Sequence, residues 1–235
     1  MSLDGLFDSQ TQVEDITEII FVLDCSGSMG SVVDATIAGF NKFIADQKTA
    51  PGKAYMTLAT FSSDLIIVHD GVQLQNVPDL SRHTYQLRGN TALLDAIGQQ
   101  IINTARRLAQ MPLDRRPSKV IFAILTDGEE NASRNFSAED IRKMITEHED
   151  IFEWDFLFLG ANQDAFKVGA QYGIKAGKAL SWSQSGSGVE GLFGAVSGSV
   201  RRYRESGAPA DNGFFTEEDH QTQQNLGAAA TPRSS

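Results

Sequence analysis

Two carboxylates and three hydroxyls stand where they could gather around one small ion. The run DCSGS places Asp24, Ser26 and Ser28 at i, i+2 and i+4. If that loop stays extended, Cys25 and Gly27 turn away and the three oxygen-bearing side chains converge. Gly27 and Gly30 permit backbone angles that a bulkier residue resists. The run RGNT supplies a third hydroxyl, Thr91, and LTDGEEN a second carboxylate, Asp127. All five side chains present oxygen, and none presents nitrogen or sulfur. That inventory selects a hard cation, Mg²⁺ or Mn²⁺, which takes about six oxygens and keeps some waters. Zinc would ask for His or Cys. His69, His83, His148 and His220 show no ligand spacing, and Cys25 is expected to sit beneath the loop as a small core residue.

Elements must bring these segments together. EIIFVLD (18–24) reads as a buried strand, a short apolar run rich in β-branched and aromatic residues. Val33, Ile37, Phe40 and Ile44 then fall on one face of a helix. KAYMTLATF (53–61) and LIIVHDGVQL (65–74) are strands two and three. The SSD between them is too short for a parallel crossover, so they form an antiparallel hairpin. Leu94, Ile97, Ile101 and Leu108 mark a second helix. KVIFAILTD (119–127) is strand four, and Ser137 with Asp140 opens a third helix carrying Ile141, Met144 and Ile145 inward. Strand five spans 152–160 and a short helix 162–172. A small sixth strand lies within 174–180, and a last helix begins near Gly188. Arg201, Arg202 and Arg204 suit the negative pole at that helix's end.

Alternating strands and helices with one early hairpin give an α/β fold, a mostly parallel, doubly wound sheet with helices on both faces. In such sheets ligands bind at the carboxyl ends of the strands, where the strand order switches. DCSGS, GNT and LTDGEEN all fall at strand ends or the loops after them, so the five side chains are expected on the sheet's rim. Residues 1–15 form a leader, 16–205 the domain and 206–235 a flexible polar and acidic tail, within which Phe214 and Phe215 stand out.

The 235 residues carry a net charge of −10, 41% hydrophobic and 21% charged residues, and one cysteine. That balance suits a globular core and excludes a disulfide scaffold. The acidity argues against a nucleic-acid or anionic-membrane surface. No apolar run approaches the ~20 residues of a membrane helix. With no basic leader before an apolar block, the expectation is a reducing, cytoplasmic location.

DCSGS, with Thr91 in RGNTALLDAIG and Asp127 in LTDGEEN, resembles the metal-ion-dependent adhesion site of the von Willebrand factor type A domain. The resemblance covers roughly residues 16 to 205. It implies six strands in the order 3-2-1-4-5-6, with strand three antiparallel at the edge. It further implies that Ser26, Ser28 and Thr91 contact the metal directly or nearly so, and that Asp24 and Asp127 often act through water. Neutral hydroxyl ligands leave the ion's charge under-compensated, so a partner protein's Asp or Glu carboxylate can fill the open position. FLGANQDAF (158–166) is similar to intracellular bacterial and phage members, some of which work beside AAA-type ATPases. The implied role is an adaptor and not an enzyme.

Two other readings stand beside this one. A metal-dependent hydrolase would need a base, and Glu129 and Glu130 are the nearby candidates; both otherwise read as a solvated loop or part of a partner-selecting rim. A structural domain could keep the site without using it for binding. A serine-hydrolase elbow is excluded by the absence of G-x-S-x-G, and a phosphate loop by the missing lysine at the helix start.

Overall fold

The computed structural model describes residues 15–161, 165–206 and 213–230. Its strands are β1 (Ile16–Asp24), β2 (Lys53–Phe61), β3 (Leu65–Gln73), β4 (Lys119–Thr126), β5 (Trp154–Ala161) and β6 (Ala179–Trp182). Its helices are α1 (Val33–Lys48), α2 (Leu93–Gln110), α3 (Ala138–Phe152), α4 (Ala165–Gln171), α5 (Gly186–Ser206) and α6 (Glu217–Ala230). One sheet runs β3-β2-β1-β4-β5-β6, every neighbouring pair parallel except β2 with β3. Order, hairpin and edge position agree with the sequence reading.

β1 is buried along its whole length because helices cover both faces of the sheet. Side chains alternate along a strand, so Ile19, Phe21 and Leu23 join α1 and α5 on one face. Ile20 and Val22 join α2 and α3 on the other. Phe21 packs against Phe40, Phe43 and Phe193 with ring centroids 5.7, 5.2 and 6.2 Å away. α1 and α5 approach closely because Gly39 has no side chain; a Cβ there would stand 2.3 Å from Phe193 Cδ2. Across the sheet, Arg107 of α2 reaches buried Glu18 of β1 at 2.6 Å and Asp70 of β3 at 2.9 Å. Thr57 of β2 donates to the same Glu18 carboxylate at 2.8 Å, which ties three strands and a helix together.

Several boundaries differ from the sequence reading. Phe152 ends α3 and lies 56% exposed. Its ring meets that of His148 one turn earlier, and Glu153 then takes a left-handed turn (φ 54°) before β5 starts at Trp154. Residues 174–178 are a loop and a 3₁₀ turn, so β6 begins only at Ala179. Of the expected helix over 162–172, Asn162 to Asp164 lie outside the described residues. Ser137 and Asp140 make the expected capping box at the start of α3.

The expectation of a flexible tail needs correction over residues 213–230. Phe214 and Phe215 are each 2% exposed and belong to the α1/α5 core. The Phe214 ring packs at a tilt against that of Tyr203, with centroids 5.1 Å apart. α6 follows, with Thr216 accepting from Asp219 N at its start and Leu226 lying over Gly191 of α5. The reading of Arg204 also changes. It is buried and donates to the carbonyls of Gln47, Pro51 and Gly52, so it satisfies the end of α1 and not of its own helix.

If the two phenylalanines hold the C-terminal segment in the core, Phe214→Ala lowers stability by about 3–5 kcal/mol. Urea unfolding of the full chain measures this. An unchanged midpoint would return residues 213–230 to a loose tail.

Candidate metal centre

β1 lies between β2 and β4, so the chain leaves it in opposite directions on its two sides, and the loops part above its carboxyl end. β1 and β4 run parallel with Leu23 beside Leu125. Asp24 and Thr126 therefore arrive side by side. Asp24 Oδ1 accepts from Ser26 N at 2.7 Å, and Oδ2 accepts from Thr126 Oγ1 at 2.6 Å. The backbone carbonyl of Asp24 takes the buried Tyr85 hydroxyl at 2.5 Å. The chain is extended only as far as Ser26, and from Gly27 it coils into a 3₁₀ turn that carries Ser28. Cys25 faces inward, its thiol donating to the Phe61 carbonyl at 3.1 Å.

A relay of short contacts links the loops. Ser26 Oγ and Ser28 Oγ lie 3.0 Å apart, and Ser28 Oγ donates to Asp127 Oδ1 at 2.6 Å. Gly128 keeps the space beside them open, since a Cβ there would stand 3.4 Å from Thr91 Oγ1 and 3.6 Å from Ser28 Oγ. The structure thus brings all five sequence-derived residues to one end of the sheet. Only part of the site is a rim, however. Asp24, Ser26 and Thr91 are buried, while Ser28 is exposed and Asp127 half-buried. The reason is that the Tyr85–Thr91 loop folds over DCSGS, with Arg88 N donating to the Cys25 carbonyl at 2.7 Å.

Among the described residues no cationic side chain pairs with Asp24 or Asp127. Burial pushes the Asp24 carboxyl up, against the hydrogen bonds from Ser26 and Thr126. Burial also pushes Asp127 up to about 6; the Ser28 hydrogen bond opposes this, and the Asp24 charge adds to it. Two carboxylates held together without a positive charge favour a bound cation. Among the described residues no three His, Cys, Asp or Glu side chains gather as a metal cluster. The donors here are two carboxylates and three hydroxyls, an all-oxygen set that fits a hard cation.

Four residues outside the motif build the centre. Thr126 holds Asp24. Asn131 brackets Thr91, accepting from its N–H at 3.0 Å and donating to its carbonyl at 3.1 Å. Glu130 is no solvated loop residue: it accepts from the N–H groups of Leu94, Ala132 and Ser133 and from the Ser133 hydroxyl. Burial pushes its carboxyl up, but those hydrogen bonds outweigh burial and hold it below the usual range. So engaged, it supports the start of α2 and is not poised as a base; Glu129 is exposed. Gln184, after β6, donates to Asp127 Oδ2 and to the Ser28 carbonyl. Its only sign in the sequence is its place in a loop at the same carboxyl edge.

The family model of the von Willebrand factor type A domain matches residues 18–164. No curated protein matches the chain. Among solved structures, proximal thread matrix protein 1 from the mussel byssus, described with a zinc-occupied MIDAS motif, aligns at TM-score 0.54 and 13% identity. That alignment covers 80% of this chain and 46% of the other. A von Willebrand factor type A protein from Catenulispora acidiphila aligns at 0.50 and 16%, over 81% of this chain and 42% of that one. BatB from Bacteroides thetaiotaomicron aligns at 0.51 and 11%, over 81% of this chain and 100% of that one. This chain thus spans less than half of the first two, and at such identities the likeness is one of fold. With the family match extending from β1 past the end of β5, the chain belongs to the von Willebrand factor type A domain family.

Proposed function

We propose that this chain is a protein-interaction module that holds a divalent cation, Mg²⁺ or Mn²⁺, through Asp24, Ser26, Ser28, Thr91 and Asp127, and uses it to bind an Asp or Glu carboxylate of a partner protein. The observation that carries the reading is the meeting of two carboxylates and three hydroxyls from three loops, with no cationic partner among the described residues. A bound cation would supply a positive centre that an outside carboxylate can reach. The chain's residues do the rest. Asp24 is locked by Ser26 N and Thr126 Oγ1 and gives a fixed negative charge beneath the site. Ser28 and Asp127 stand at the accessible side, where a partner's side chain would arrive. Zinc belongs in the same titration, given the mussel protein, although the all-oxygen donor set favours harder ions. A cytoplasmic adaptor beside an AAA-type ATPase is the setting we propose.

Saturating Mg²⁺ or Mn²⁺ at 100 times its Kd is expected to stabilise the folded chain by about 2.7 kcal/mol, seen as a rise in Tm. Asp127→Asn keeps the shape, removes the repulsion with Asp24 and loses that rise, while its metal-free Tm equals or exceeds that of the wild type. A wild-type Tm indifferent to millimolar divalent ions would count against the cation.

Partner dependence is read by capture from host lysate with Mg²⁺, with chelator, and with the Asp127→Asn chain as bait. The expected result is a protein retained by the metal-loaded wild type alone. Equal retention in all three arms would place binding on another surface.

A further inference from the structure

Gln184 reaches the centre from the loop between β6 and α5, across the end of β5. Its Nε2 lies 2.5 Å from Asp127 Oδ2 and 2.8 Å from the Ser28 carbonyl oxygen. Both neighbours are acceptors, so the nitrogen of the carboxamide, and not its oxygen, faces them. Each oxygen of Asp127 is thereby engaged, Oδ1 by the Ser28 hydroxyl at 2.6 Å and Oδ2 by Gln184. The loop is built to hold this reach. Gly188 admits the Ser183 carbonyl, which a Cβ would meet at 2.0 Å. Ser185 Oγ accepts from Gly188 N at 3.1 Å, and Gln223 of α6 donates to the Gly188 carbonyl at 3.3 Å. Both the loop and α6 lie beyond the residues matched by the family model.

We propose that Gln184 is a positioning residue that keeps the Asp127 carboxylate turned to its own amide, and so sets how strongly the centre draws a partner's carboxylate. The proposal rests on the cation reading above. A neutral N–H donor draws charge from the carboxylate oxygen it binds. With the donor removed, Asp127 is free to neutralise the ion, so the ion is held more tightly and an outside carboxylate less so. A glutamate at 184 would add a third negative charge beside Asp24 and Asp127 and push both effects further.

The test uses the full chain as wild type, Gln184→Ala and Gln184→Glu. Mn²⁺ affinity is measured by electron paramagnetic resonance. Acetate affinity of the Mn²⁺-loaded chains follows from the loss of water-proton relaxation. Gln184→Ala is expected to bind Mn²⁺ about tenfold more tightly, the worth of one hydrogen bond to a charged group. Gln184→Glu shifts the same way by more, and acetate binding weakens in both. Opposite movement of the two affinities is the signature, because a loop that had merely loosened would weaken both. Affinities that fall together, or stay at the wild-type values while the wild type binds Mn²⁺, overturn the role of Gln184 alone. A wild type that binds no Mn²⁺ overturns the cation reading and this one with it.

Discussion

The Asp24 carboxylate is the constraint around which the end of the sheet is arranged. It is 0% exposed and carries no countercharge from any described side chain. A buried charge is tolerated only when hydrogen bonds replace the lost water. Ser26 N supplies one from the turn that follows β1, and Thr126 Oγ1 another from the last residue of β4. Their positions follow from strand register, since Leu23 beside Leu125 sets Asp24 beside Thr126. The DCSGS turn and the neighbouring strand are thus shaped to serve one anion, and the negative potential left over is what a cation would use.

A second tier fixes the remaining loops. Glu130 and Asp95 take backbone N–H groups as their main partners. Asp95 receives those of Arg134, Asn135 and Phe136, which hold its carboxyl below the usual range despite partial burial. Together the two acids staple the loop after β4 to the first turn of α2, where Thr91 has just passed. The two hydroxyl-bearing segments and the Asp127 loop therefore rest on a frame of carboxylate-to-backbone bonds, and the ligand positions do not depend on side-chain packing alone.

Much of this was legible in the sequence, and the limits have physical reasons. The strand order rested on resemblance, but the hairpin followed from the three-residue SSD turn, and α1 and α2 from apolar residues at helical spacing. The five oxygen donors could be named because their type and spacing are unusual together. Their supports could not. Thr126 and Asp24 are 102 residues apart, and Gln184 and Ser28 are 156 apart; a polar residue in a loop shows nothing of such a partner. Residues 217–230 show no helical period in the sequence because Gly, Ala and Gln dilute the apolar face of α6 almost to Leu226 alone. Phe214 and Phe215 stand out in the sequence, but nothing there announces that Tyr203 receives the ring of Phe214. Phe152 reads as the start of a strand because aromatics favour strands, whereas its contact with His148 belongs to a helix.

The glycine contact between α1 and α5 bears on where the domain may be cut. The family match ends at residue 164, yet α5, which presses Phe193 against Gly39 and covers Phe21, begins at Gly186. A fragment trimmed to the matched residues would keep all five proposed ligands and lose the roof over one face of its sheet. β5 would become a bare edge, and Phe21, Phe40 and Phe43 would look onto water. Such a surface invites association between chains. The boundary of recognisable ancestry and the boundary of a self-sufficient folding unit are therefore different places in this chain.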